Sequence, residues 1–153
     1  MTTEPHRNVG FLIRDVSLLW AKTFERRARD LNMTLAQCKV LASLSRNQGT
    51  SQARLAELTD TDPMALVRTL DRMEQDRWID RQPDPADRRA HRLYLRAPAE
   101  PILERIWAIS DQSRREALTA LTAAERDQLV NLLERVRASL SAQASKLRDR
   151  DAR

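Results

Sequence analysis

Apolar positions along this chain fall into runs of helical period separated by short polar breaks. Phe11, Leu12, Val16, Leu19, Trp20 and Phe24 recur at helical spacing, with Arg14, Asp15, Lys22 and Glu25 between them. This pattern predicts an amphipathic helix over about Asn8 to Asp30. Its apolar face is wide for a helix packing on one neighbour, so part of it is expected to meet a partner. Thr34-Leu35-Ala36-Gln37 has the form of a capping box, in which the Thr hydroxyl and the Gln side chain satisfy each other's backbone N–H. Leu35, Cys38, Leu41 and Leu44 then mark the inward face of a second helix, ended by Asn47-Gln48-Gly49. Ser51 to Leu58 reads as a short third helix. After the polar break Thr59-Asp60-Thr61-Asp62, Asp62 suits an N-cap and Pro63 the first helical position, where its missing N–H does no harm. This fourth helix runs to about Asp76. Leu66, Leu70 and Met73 form its buried stripe, with Val67 beside it. Met64, Ala65, Arg68, Thr69 and Arg72 lie on the opposite side.

The period then shortens from helical to two. Trp78 to Gln82 is β-compatible, and Pro83 to Ala90, interrupted by two prolines, can continue neither a helix nor a central strand. His91 to Arg96 alternates, with Leu93 and Leu95 facing one way and Arg92, Tyr94 and Arg96 the other. The expectation is a two-stranded β wing with a long basic tip. Pro98 and Pro101 open a fifth helix, with Ile102, Ile106, Ile109, Ala117 and Leu121 roughly in phase. Thr122-Ala123-Ala124-Glu125 is a second capping box, and Leu129, Leu132, Leu133, Val136, Leu140 and Leu147 carry a last helix. Two helices joined by a tight break and followed by a hairpin make a mainly α, winged helix-turn-helix fold.

Composition narrows the function. The 153 residues suit one domain, and two glycines are too few for a glycine-lined nucleotide site. One cysteine, Cys38, excludes an internal disulfide and a zinc cluster. The expected cofactor is none. No apolar run reaches membrane-spanning length and the N-terminal residues lack a signal core, which points to the cytoplasm and to no membrane partner. His6 and His91 are far apart in the chain, and no nucleophile–base–orienter set stands out, so the chain does not read as an enzyme. The net charge of +5 favours a polyanionic partner.

That charge has a focus. Between Arg77 and Arg96 there are six arginines against three aspartates. The fourth helix is the candidate recognition helix for double-stranded DNA. An α-helix fits the major groove and reads base edges with its N-terminal residues, and arginine bonds a guanine edge bidentately. Arg68 takes that role, flanked by Thr61, Met64, Ala65, Thr69 and Arg72. Asp87, Arg88, Arg89 and Arg92 form the wing site, where a guanidinium gains from the negative potential of a narrow minor groove and Asp87 orients it. A plain solvated helix face and a charged loop are the bland alternatives. An interaction module whose basic wing meets an acidic protein is the rival function.

Leu66-Val67-Arg68-Thr69-Leu70-Asp71, followed by Asp87-Arg88-Arg89 and Ala99-Glu100-Pro101, resembles the MarR family and in particular its SlyA-like branch. The resemblance implies a homodimer, with dimerisation helices at 8–33 and 99–147 around a DNA-binding lobe at 34–97 of a single domain, 1–153. It implies two lobes on a palindromic, inverted-repeat operator, Arg68 in the major groove, Arg89 in the minor groove, and repression of transcription. Three positions depart from the family pattern. Asp76-Arg77 stands where a glycine often ends the recognition helix, Cys38 where an aromatic is common, and Arg96 where a threonine is usual. Many relatives bind small aromatic acids between the dimer helices and the DNA-binding lobe, which makes Trp20 and Cys38 candidate pocket residues. Trp20 as core and Cys38 as either an inert thiol or a redox switch stay open.

Overall fold

The computed structural model describes residues 8–87 and 89–151; Arg88, the Met1–Arg7 segment with His6, and the side chain of Leu147 lie outside the described residues. Six helices, α1 (Val9–Ala28), α2 (Leu35–Arg46), α3 (Gln52–Thr59), α4 (Pro63–Gln75), α5 (Glu100–Ala117) and α6 (Ala123–Asp151), accompany three strands, β1 (Thr50–Ser51), β2 (Ile79–Pro83) and β3 (His91–Leu95).

Local chemistry sets most helix starts. The Thr34 hydroxyl accepts from the Gln37 N–H at 3.2 Å while Gln37 Oε1 accepts from the Thr34 N–H at 2.9 Å. Thr122 and Glu125 make the same reciprocal pair at 2.8 and 3.3 Å, and the Thr122 N–H and hydroxyl hold the Glu125 carboxyl below its ordinary pKa. Asp62 Oδ1 accepts from the N–H groups of both Met64 and Ala65 at 3.0 Å, with Pro63 next to it at the head of α4. Each such cap contributes about 1 kcal/mol.

The ends of α3 and α4 share one device. After α3, Thr61 N–H reaches Ala56 O at 3.0 Å and Asp60 N–H reaches Glu57 O at 3.3 Å, with Asp60 left-handed at φ 48. After α4, Trp78 N–H reaches Met73 O at 2.9 Å and Arg77 N–H reaches Glu74 O at 3.0 Å, with Arg77 at φ 60. Both are Schellman closures, which place a left-handed residue just past the helix. Aspartate tolerates that conformation better than arginine does. Arg77→Gly is therefore expected to raise stability by about 1 kcal/mol, read as an upward shift of the thermal midpoint.

The sheet differs from the expected two-stranded wing. It has three antiparallel strands in the order β1-β3-β2. Thr50 and Ser51 pair with Leu93 and Arg92, on the opposite edge of β3 from Ile79–Pro83. A two-residue strand has no readable period, and its partner lies far along the chain. Gly49, at φ 76, makes the approach possible: its N–H donates to Leu93 O at 2.8 Å, and a Cβ there would stand 3.0 Å from the Tyr94 hydroxyl oxygen. Gln48 Oε1 accepts from the Leu95 N–H at 2.8 Å. The fifth helix also differs from expectation. It stops at Ala117, which is exposed, and Leu121 lies in the turn beyond; Leu103, Ile106 and Ser113 are its buried face. Pro98 belongs to a 3-10 turn, Ala97–Ala99, ahead of that helix.

The chain divides into two compact units, the first ending at Ser113 and the second beginning at Arg114. The core of the first unit joins Cys38, Val40, Leu41 and Leu44 of α2 to Leu55, Leu66, Leu70 and Met73 of the helix-turn-helix, Ile79 and Leu93 of the sheet, and Leu103 and Ile106 of α5. The Arg46 guanidinium lies 5.0 Å over the Trp107 ring and ties the end of α2 to α5. In the second unit, Arg126 Nε donates to Leu118 O at 3.1 Å across the turn that precedes α6.

Exposed apolar side chains are concentrated at the two ends of the chain. Among the described residues, Val9, Phe11, Leu12, Ile13, Val16, Leu18 and Leu19 of α1 are solvent-exposed, as are Leu129, Val130, Leu132, Leu133, Val136 and Leu140 of α6. Elsewhere only Leu58 and Met64 join them among the described large apolar residues. No helix among the described residues is long and apolar enough to cross a membrane.

Candidate nucleic-acid interface

The α4 stripe Leu66, Leu70 and Met73 is fully buried, which turns the other side of the helix outward. Met64, Arg68 and Arg72, four residues apart, form one exposed row, with Ala65 and Thr69 half-buried beside it. Arg68 makes no hydrogen bond or ion pair among the described residues. Arg72 Nε donates to Asp76 Oδ2 at 3.2 Å, an exposed i,i+4 pair that leaves its other donors open. Thr61 and Thr69 are half-buried, and each hydroxyl donates to a backbone carbonyl, Thr59 O at 3.2 Å and Ala65 O at 3.0 Å. A hydroxyl has one proton. Either threonine must therefore turn before it can donate to a phosphate.

Carboxylates build the wing, though not in the arrangement the sequence suggested. Asp87 Oδ1 accepts from the Arg89 backbone N–H at 2.9 Å, and Ala90 N–H closes back on Asp87 O at 3.0 Å. Its contact within the described residues is thus to the backbone of the turn. The carboxylate that holds a guanidinium is Asp84, whose Oδ2 accepts from Arg92 Nε at 3.0 Å while its Oδ1 accepts from the Ala86 N–H at 2.8 Å. The Ala86 N–H, with Arg92 second among the favourable contacts, holds the Asp84 carboxyl below its ordinary pKa. This contribution to wing order is present above the usual aspartate range and lost as pH falls through the depressed value.

These contacts sort the wing's cations. Arg92 is engaged by Asp84, and Arg81 by Asp71 and Glu74, both at 2.7 Å. Arg77, Arg89 and Arg96 are exposed. Arg89 stands at the tip turn, next to Arg88, which lies outside the described residues. Met64, Arg68 and Arg72 are thus the exposed set on α4, and Asp87 and Arg89 stand exposed at the tip of the wing that follows it in the chain. The Arg81 fork on Asp71 and Glu74 is not legible in the sequence, because it depends on tertiary approach.

A second feature lies in the first unit, between α1, α2 and α5. Trp20, Phe24, Leu35, Cys38, Lys39 and Ser110 help to line a cleft of about 430 Å³, within the range of small-molecule sites. Trp20 and Cys38 thus share one wall system. Lys39 supplies a cation there that was not legible beforehand, although it follows Cys38 in the chain. Cys38 is 2% exposed, and burial pushes its thiol pKa up, which suppresses the reactive thiolate. Among the described residues there is no group of three or more His, Cys, Asp or Glu side chains that could hold a metal ion.

A model of the MarR family matches residues 33–91, from the start of α2 to the wing. Wild-type MarR from E. coli, in its apo form, is 30% identical; the match covers 84% of this chain and 96% of that one, with a TM-score of 0.75. A mutant of the same E. coli protein complexed with operator DNA is 29% identical over 84% of this chain and 92% of that one, with a TM-score of 0.70. BpsR of Bordetella bronchiseptica, whose DNA binding is regulated by 6-hydroxynicotinic acid, shares the fold at 24% identity, covering 87% and 95% of the two chains with a TM-score of 0.72. With its winged helix-turn-helix and its exposed arginine row, the chain belongs to the MarR family of DNA-binding transcriptional regulators.

Proposed function

We propose that this protein is a cytoplasmic repressor that binds a palindromic operator as a homodimer. Each subunit lays the N-terminal half of α4 in the major groove and sets its wing tip against the neighbouring minor groove. Arg68 reads a guanine edge; Arg88, Arg89 and Arg92 hold the wing near the backbone, and Thr61, Met64, Ala65, Thr69 and Arg72 fit the groove wall. The observation that carries this reading is the outward row Met64–Arg68–Arg72 on a capped helix, followed in the chain by a wing that exposes Arg89. The operator complex of the E. coli relative supports it.

The exposed apolar faces of α1 and α6 support the dimer, because solvent-facing apolar surface of this extent marks an interaction site. In this arrangement residues 8–33 and 99–147 join the subunits and 34–97 meet DNA. A small aromatic acid in the cleft lined by Trp20, Phe24 and Cys38, with its carboxylate on Lys39, releases the operator. The apolar walls with one cation suit that chemistry. The regulation of BpsR by an aromatic acid is a precedent on the same fold.

A salt titration separates this reading from an interaction module that binds an acidic protein. Operator affinity should fall steeply as salt rises, by counterion release. Arg89→Ala should weaken binding to many sequences alike and reduce the salt slope by about one for each copy. A protein with no affinity for duplex DNA at low salt would end the proposal.

A further inference from the structure

Arg81 lies on β2, opposite Leu93 in the sheet register, and so on the face that turns toward the core. Its stem follows that face, and only 18% of the side chain is exposed. Its head leaves the core at one flank of α4. There Nη2 donates to Asp71 Oδ1 and Nη1 to Glu74 Oε2, each at 2.7 Å. The two carboxylates sit three residues apart on the recognition helix, seven and ten residues before the arginine. A planar guanidinium with its donors in a fixed fork can bridge two such acceptors in one orientation; a lysine cannot.

Both carboxylates are about half exposed, and pairs this open add little to stability. What the fork fixes is position. It joins the first strand of the wing to the helix that carries Arg68, at the base of the only segment between them, so the wing cannot tilt without breaking two short bonds. Among the described residues, the other engaged wing arginine is Arg92, which bonds Asp84 inside the wing and makes no bond to α4.

We infer that Arg81 is a positioning residue for DNA binding: its fork on Asp71 and Glu74 holds the wing at a set angle to α4, so that the major-groove and minor-groove contacts engage as one unit. This rests on the proposed function. Arg81 itself touches no DNA in this arrangement and acts through Arg89.

The test compares operator affinities of the full-length chain at one salt concentration for wild type, Arg81→Gln, Arg89→Ala, Arg68→Ala and the two doubles with Arg81→Gln. Arg81→Gln should weaken binding about tenfold. The effect of Arg89→Ala should shrink by about tenfold in the Arg81→Gln background, while that of Arg68→Ala stays as in wild type. Arg81→Lys should restore only part of the coupling. A merely structural role would lower every affinity alike and leave the Arg89→Ala ratio unchanged, and that result overturns the inference. Should Arg81→Gln not fold, the Asp71→Asn, Glu74→Gln double variant keeps the arginine and removes its acceptor charges; it must show the same loss of Arg89 dependence or the inference falls. A wild-type protein that does not bind DNA ends the proposed function, and this inference with it, before any variant is compared.

Discussion

Leu133→Asp is expected to convert the protein to a monomer and to abolish operator binding. Leu133 sits in the α6 row Leu129, Leu133, Val136 and Leu140, and 46% of its surface is open in the single chain. A carboxylate at that exposure costs the isolated helix little. Buried against a second subunit it loses its hydration without a partner, which costs several kcal/mol, and two-fold symmetry places two copies in one interface. The consequence for DNA is larger still. Specific complexes reach ~10⁻⁸ to 10⁻¹¹ M. A monomer holds one half-site, and half of that free energy leaves roughly 10⁻⁴ to 10⁻⁶ M, the range of non-specific binding. Sedimentation should show one subunit with unchanged helical circular dichroism. An intact Leu133→Asp dimer would remove α6 from the interface.

Arg68→Ala is expected to produce the second largest effect while leaving the fold as it is. The side chain is exposed and lacks an ion pair among the described residues, so its loss should change stability by less than about 0.5 kcal/mol. A bidentate guanine contact contributes about 1–3 kcal/mol. A dimer carries two, so affinity should fall by roughly 30-fold to 10⁴-fold on the matched site. The loss should be confined to sequences with guanine at the contacted position, and discrimination at that position should relax. Arg89→Ala, by contrast, should weaken binding across sequences. If Arg68→Ala bound matched and mismatched sites as wild type does, α4 would not read bases through this residue.

Features written in neighbouring residues were legible in the sequence, and features made by distant approach were not. Thr34 with Gln37, Thr122 with Glu125, and Asp62 before Pro63 each cap a helix through contacts within three residues, so the sequence alone locates these starts. The buried stripe of α4 follows from helical period alone. Arg77 stands where a glycine often ends the recognition helix, and it takes the left-handed conformation. Ser51 reads as the start of a helix and Thr50 carries no period, because the strand Thr50–Ser51 exists only through Leu93 and Arg92 on the far side of the recognition helix. Ala117 and Leu121 kept the phase of α5, yet the helix ends between them, since phase records which face is apolar and not where the backbone turns. The aspartates of the wing show the same limit. Proximity in sequence favours Asp87 as the partner of a wing arginine; among the described residues, antiparallel folding brings Asp84 to Arg92, and Asp87 bonds the backbone of the tip.

The most direct measurement is a combined guanine-methylation and hydroxyl-radical footprint of the wild-type protein on a duplex it has selected from random sequence. Expected are two protected half-sites related by a dyad, their centres about one helical turn apart, each with a guanine N7 shielded in the major groove and a neighbouring minor groove protected. Protection without dyad symmetry, or half-sites whose guanine N7 atoms stay reactive, would contradict the assignment of α4 and the wing to consecutive grooves.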